Sequence, residues 1–272
     1  EDPQIVNGLQ SSHELFFHFS TGGSRDDNRK IMVRVIKPVD EKSRLKIIKA
    51  TNSQTSVPIA SLRATDEIHL NIEDYFLSQG LYYDRRKNYY KNLGKPAEQI
   101  ISIPYLSQII TSIALREPNN SRARPSTLIK NDEEYKRIFS KEYDVDIYAK
   151  GVLLQKLVER TLKSYTPELT TTEIGDLKFH VSMFLVADTL KKLTYSPNDI
   201  KSIEIESIST EKIIQAITAV KELYDSLGGT NKVAKSQDFV TAIFGKLGEI
   251  IAEHKELLKQ QSLASKADNE IK

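Results

Sequence analysis

The chain holds 272 residues, 28% of them charged, with a net charge of +2 and no cysteine. That balance excludes a broadly basic nucleic-acid carrier, so any nucleic-acid contact must come from a local patch. Without cysteine there are no disulfides, iron–sulfur clusters, thiolate zinc sites or cysteine nucleophiles, and no run approaches the ~18 apolar residues of a membrane span.

The length suits one large or two ordinary domains. The sequence opens Glu1-Asp2-Pro3 with no initiator Met. The expectation is a cytoplasmic protein without membrane contact, whose missing N-terminal part is a partner from the same chain.

Residues 3–7 read as the end of a strand, and Gly8 allows a tight turn. Leu9, Ser12, Phe16 and Phe19 fall at helical spacing over about 9–19. Thr21 to Ser24 ends that helix. The β-branched run Ile31-Met32-Val33-Arg34-Val35-Ile36 predicts a strand closing before Pro38. A short helix follows, with Leu45 and Ile48 on one face. Pro58 suits the first turn of the next. Ile68, Ile72, Tyr75 and Phe76 continue an apolar stripe broken near Asp66 and capped by Gly80. Leu81 to Tyr83 reads as extended. From residue 99 the pattern is helical, with candidates near 104–116, 131–140, 146–164, 171–193, 209–227 and 236–261. Residues 117–121 read as a loop and 201–208 as a short strand. The expected fold class is α+β, predominantly helical: a small N-terminal α/β region, 1–95, packed against a larger all-α region, 96–262, with the boundary at about 88–98 and a disordered tail at 263–272.

Three constellations could carry chemistry. The first is the turn Asn7-Gly8-Leu9-Gln10-Ser11, where unpaired amides at a helix start attract anions and glycine permits close approach. A plain capped helix accounts for the same residues, because Asn7 caps well and Ser11-x-x-Glu14 reads as a capping box. The second is Asn52-Ser53-Gln54, a loop that could meet the first turn, or simply a polar turn. The third is Tyr82-Tyr83-Asp84-Arg85-Arg86-Lys87 with Tyr89-Tyr90-Lys91. Its interleaved cations and rings suit phosphates and bases, or else a solvated edge with tyrosines packed on the core. Arg116, Arg122, Arg124 and Lys130 read as partners of nearby acids. There is no G-x-x-x-x-G-K-[ST] loop and no H-E-x-x-H pair. His13 and His18 fall on different helix faces, His180 reads as a core histidine, and Asp144 and Asp146 lack a third ligand. No metal site is assigned.

Taken in order, these pieces resemble the abortive-infection phage-resistance (AIPR) family. Ile5-Val6-Asn7-Gly8-Leu9-Gln10-Ser11 resembles its hydrophobic-N-G-x-Q-[TS] box, with Ser11 keeping the hydroxyl where Thr is frequent. Thr51-Asn52-Ser53-Gln54-Thr55 resembles its T-N-x-Q step, followed by Leu62-x-x-x-Asp66. Tyr82-Tyr83-Asp84-Arg85-Arg86-Lys87 resembles Y-Y-[ED]-R-[RK], and Tyr135-Lys136-Arg137-Ile138-Phe139 resembles Y-x-x-I-F. The likeness covers about residues 1–143. A looser likeness is to the ParB/sulfiredoxin-type fold, whose turn faces nucleotide phosphates or a scissile bond. Here Asn7 replaces an acid and Ser11 an arginine, which weakens catalysis more than binding.

The resemblance implies a binding and regulatory module of a bacterial phage-defence protein. Asn7, Gly8, Gln10, Ser11, Asn52 and Gln54 would contact a nucleotide or nucleic-acid phosphate, while Tyr83, Arg85, Arg86 and Lys87 would contact nucleic acid. The helical half would serve homo-oligomer or partner contacts. The alternatives are a ParB/sulfiredoxin-like NTPase or nuclease component, with a nucleotide and a divalent metal as cofactors and Asp84 and Glu14 as its only carboxylates at hand, and a ligand-free protein-interaction domain.

Overall fold

The computed structural model describes residues 5–22, 30–51, 60, 63–125 and 127–270. The chain forms two compact units, Glu1–Pro58 and Ile59–Lys272.

In the first unit, α1 spans Leu9–Ser20 and α2 Glu41–Thr51. Gly8 opens α1 at φ 85°, a left-handed conformation that an L side chain adopts only with strain. Asp40 Oδ1 accepts the Ser43 amide at 2.6 Å and so caps α2. The strand expected at 31–36 does not form. Those residues run without regular secondary structure, and Val35 is 91% exposed. A strand needs a neighbour for its amides and carbonyls, and among the described residues of this unit none is offered. Residues 5–7 are not strand either.

The sheet lies in the second unit. α3 spans Glu67–Ser78 and starts just after Asp66, as its sequence predicts. Gly80 follows at φ 70° and lets the chain reverse. β1, Tyr82–Asp84, pairs in parallel with β2, Ile100–Ser102, matching Tyr82 to Ile100 and Asp84 to Ser102. The short helix α4, Tyr89–Asn92, lies in the crossover. The pairing straddles residue 95, so the stretch expected to separate two regions instead joins two strands. The chain is predominantly helical α+β.

Six helices of the second unit follow the predicted periodicities: α5 (Ile103–Ile113), α7 (Asp132–Ile138), α8 (Asp146–Lys163), α9 (Thr171–Leu190), α10 (Thr210–Ser226) and α12 (Gln237–Glu270). The last carries helical backbone across most of the segment expected as a tail. Two expectations fail. Residues Pro118–Ala123 form a helix, α6, because Pro118 occupies its first turn, where a missing amide costs nothing. Residues 201–208 hold 3-10 turns at Pro197–Ser202 and Ile205–Ser207, and among the described residues no strand lies alongside them. The four-residue helix α11 covers Asn231–Ala234.

α9 is buried on successive faces along its middle, and Leu177, Phe179, Val181, Met183, Leu185 and Val186 all lie inside. A helix of that kind belongs at the centre, and α5, α6, α8, α10 and α12 pack around it. α8 closes on α5 through Gly151, where a Cβ would stand 2.7 Å from Ile113 Cδ1. Asp176, fully buried on α9, accepts from Arg122 Nε at 2.9 Å, Tyr224 Oη at 2.9 Å and Asn231 Nδ2 at 2.7 Å. One carboxylate thereby pins α6, α10 and α11 to the core. Among the described residues no helix is long and apolar enough to cross a membrane.

Candidate functional site

In the first unit, α1 begins without a side-chain cap. Its first closed bond is Ser12 amide to Gly8 carbonyl, 2.9 Å, so the amides of Leu9, Gln10 and Ser11 have no partner among the described residues. The side chains of Gln10 and Ser11 are exposed. The capping box read from Ser11 and Glu14 is not made. Asn7 faces away from α1, and its Nδ2 donates to the Thr51 carbonyl at 2.8 Å. That bond brings the N-G-x-Q turn to Thr51, the last described residue of α2. Asn52 and Gln54 lie outside the described residues.

In the second unit, three of the sequence motifs converge on a histidine that sequence reasoning passed over. His69 on α3 is fully buried. Its Nδ1 lies 2.8 Å from Tyr83 Oη and its Nε2 lies 3.0 Å from Tyr135 Oη. Tyr135 Oη donates to Asp66 Oδ2 at 2.5 Å. The hydrogen-bond pattern assigns the tautomer. Tyr135 spends its proton on Asp66, so it accepts from Nε2–H, and Nδ1 must accept from Tyr83. Burial, then the nearby Arg85 and Arg63, push the His69 pKa down to about 3, so the ring is neutral at ordinary pH. Burial and the Asp66 bond push the Tyr135 hydroxyl well above its usual range. Arg63 lies over the Tyr135 ring, 4.1 Å from its centroid, and pairs with Asp132. A signal for His69 was present: it sits in register with Ile72 and Phe76 on the apolar stripe, a polar residue where the pattern demands a buried one.

The basic segment divides in two. Tyr83 is wholly buried in this network, and Arg85 is 9% exposed. Arg85 Nε donates to Glu73 Oε2 at 2.7 Å, a second guanidinium nitrogen pairs with the same carboxylate, and Nη1 reaches the Ala64 carbonyl. Tyr90 Oη completes Glu73 at 3.0 Å, and burial raises its pKa to about 12. Arg86 and Lys87 stay on the surface.

Most of the remaining candidates are held by neighbouring side chains or backbone. His180 is buried, with Nδ1 against the Asp176 carbonyl at 3.0 Å, and burial lowers its pKa to about 4. Asp144 pairs with Lys201, which holds its carboxyl below the usual range, and Asp146 accepts from Tyr75 Oη at 2.9 Å. Arg122 pairs with Asp176 as expected, whereas Arg116 donates to the Leu193 carbonyl and covers the Tyr195 ring. His13 and His18 are exposed on α1. Asp84 accepts the Asn88 and Tyr90 amides at 2.7 and 3.3 Å.

A family model described as AIPR protein matches residues 1–272. Comparison with curated proteins and with solved structures gave no match.

Proposed function

The chain belongs to the AIPR family of abortive-infection phage-resistance proteins, and on that premise we propose that it is a binding and regulatory module that takes a nucleotide or nucleic-acid phosphate at the Asn7–Ser11 turn. One observation carries the reading: Gly8 at φ 85° opens α1 with the amides of Leu9, Gln10 and Ser11 unpaired among the described residues. Free amides at the positive end of a helix favour an anion. Gln10 and Ser11 add uncharged donors beside them, and the Asn7 bond to Thr51 holds the turn against α2. Asn52 and Gln54, which follow Thr51 in the sequence, would extend the contact. A thermal-shift screen of the intact protein with nucleotides tests it, since a ligand that binds only the folded state raises the melting temperature. A shift in the wild type that Gly8→Val removes supports the reading. No shift with any nucleotide at millimolar concentration opposes it.

A second reading, a ligand-free protein-interaction domain, is favoured by a different observation. α1 buries none of its residues, and Phe16 is 73% exposed. Exposed aromatic side chains grouped on one helix mark contact surfaces. The NTPase or nuclease alternative needs a carboxylate at the turn, and Glu14, exposed on α1, is the acid the described part of this unit offers nearest to it.

A further inference from the structure

Asp84 holds Asn88 in the left-handed region at φ 66°, a costly position for a side-chain-bearing residue that only a well-anchored loop sustains. The loop so fixed presents a ladder of rings and cations. Arg86 lies over Tyr89, 4.8 Å from its centroid; Tyr89 and Tyr90 are 5.0 Å apart, Tyr90 and Tyr82 5.2 Å; and Lys95 Nζ stands 5.0 Å from the Tyr82 ring. From residue 85 to residue 97 there is no acid. Arg86, Lys87, Lys91 and Lys95 are all exposed and make no ion pair among the described residues, while Arg85 is neutralised beneath them by Glu73.

We infer that this ridge is a binding site for single-stranded nucleic acid, with Arg86, Lys87, Lys91 and Lys95 on phosphates and the exposed Tyr89 face stacking a base. Tyr83 and Arg85 do not touch the ligand; they are positioning residues that fix the loop. A duplex hides its base faces, so the exposed ring selects the single strand. The site is independent of the Asn7–Ser11 turn, and either can fail without the other.

Fluorescence anisotropy of the intact protein with labelled oligo(dT), oligo(U) and a DNA duplex tests it. Oligo(dT) and oligo(U) bind more tightly than the duplex. Each single-strand phosphate contact contributes about −0.7 to the slope of log K against log[salt], so neutralising the four cations to Gln flattens the slope by about 3. Tyr89→Ala weakens binding about 5- to 150-fold with little change of slope. Replacing the three lysines by Arg retains binding. The inference is overturned if the wild type binds none of the three at low salt, if the duplex binds as tightly and Tyr89→Ala changes nothing, or if the Arg-for-Lys variant loses as much as the neutral one.

Discussion

Tyr83 donates its hydroxyl proton to His69 Nδ1 at 2.8 Å, and neither residue has any exposed surface. The bond joins β1 to α3 and starts a directed relay that runs through His69 Nε2–H and Tyr135 to Asp66. Tyr83 of the Y-Y-D-R-R motif and Tyr135 of the Y-x-x-I-F motif are thus parts of one buried scaffold, while Arg86 of the first motif stays on the surface.

Acidification should weaken the fold before carboxylates are fully titrated. His69 and His180 have folded pKa values near 3 and 4, against 6.5 for the free side chain. The unfolded chain therefore binds more protons between about pH 6.5 and 4. Their contribution is intact above pH 6.5 and is lost as pH falls through that window, by up to about 1.4 kcal/mol per pH unit for each ring. Melting temperatures measured from pH 7 to 4.5 should drop, and His69→Gln, which keeps a donor and an acceptor but cannot titrate, should flatten the drop. An equally steep fall in the variant removes His69 from the account.

Arg85→Ala should destabilise the second unit by about 3–5 kcal/mol, because it leaves the largely buried Glu73 carboxylate without its cation. Arg86→Ala, one residue on, should cost under about 1 kcal/mol, since its side chain is solvated. Urea titrations of both variants distinguish scaffold from surface. Similar losses in the two contradict the division of the segment.

Asp176→Ala should cost about 3–5 kcal/mol, since Arg122, Tyr224 and Asn231 lose their shared buried acceptor. Gly151→Val should cost about 1–3 kcal/mol by forcing α8 away from Ile113 and Ile109, whose atoms would lie 2.7 and 3.3 Å from the new Cβ. Calorimetry on both variants checks these values, and a Gly151→Val protein as stable as the parent would show that α5 repacks.

The long helices were legible because each repeats an apolar face locally: the stripe of Ile72 and Phe76 and the apolar run Met183 to Ala187 are readable without a partner, whereas the six-residue α6 offers no such repeat. The strand at 31–36 was misread because β propensity describes a residue's fit to a sheet, and the described residues supply no neighbouring strand. Arg85 and Arg86 look alike in sequence. They part only because Glu73, twelve residues earlier, approaches one of them. His69 was invisible as a hub because Tyr135 lies sixty-six residues away. The turn at Gly8 was legible from the Asn-Gly pair, whereas the Asn7–Thr51 bond was not, since the two residues lie forty-four apart and no sheet among the described residues brings them together.

Gly8→Val should leave the second unit unchanged, since the turn belongs to the first. It should destabilise α1 by about 1–2 kcal/mol, the cost of a left-handed conformation for a β-carbon residue. Hydrogen exchange along α1, faster in the variant and unaltered in α9, checks both halves of the statement.

The phosphate role of the turn is tested most directly by amide NMR of the intact protein, following Leu9, Gln10 and Ser11 during titration with a nucleoside triphosphate and then with inorganic phosphate. The account predicts saturable shifts of these three amides, larger than those in the rest of α1 and absent from Gly8→Val. Amides that stay unmoved up to millimolar ligand, or that move no more than those in the rest of α1, would contradict it.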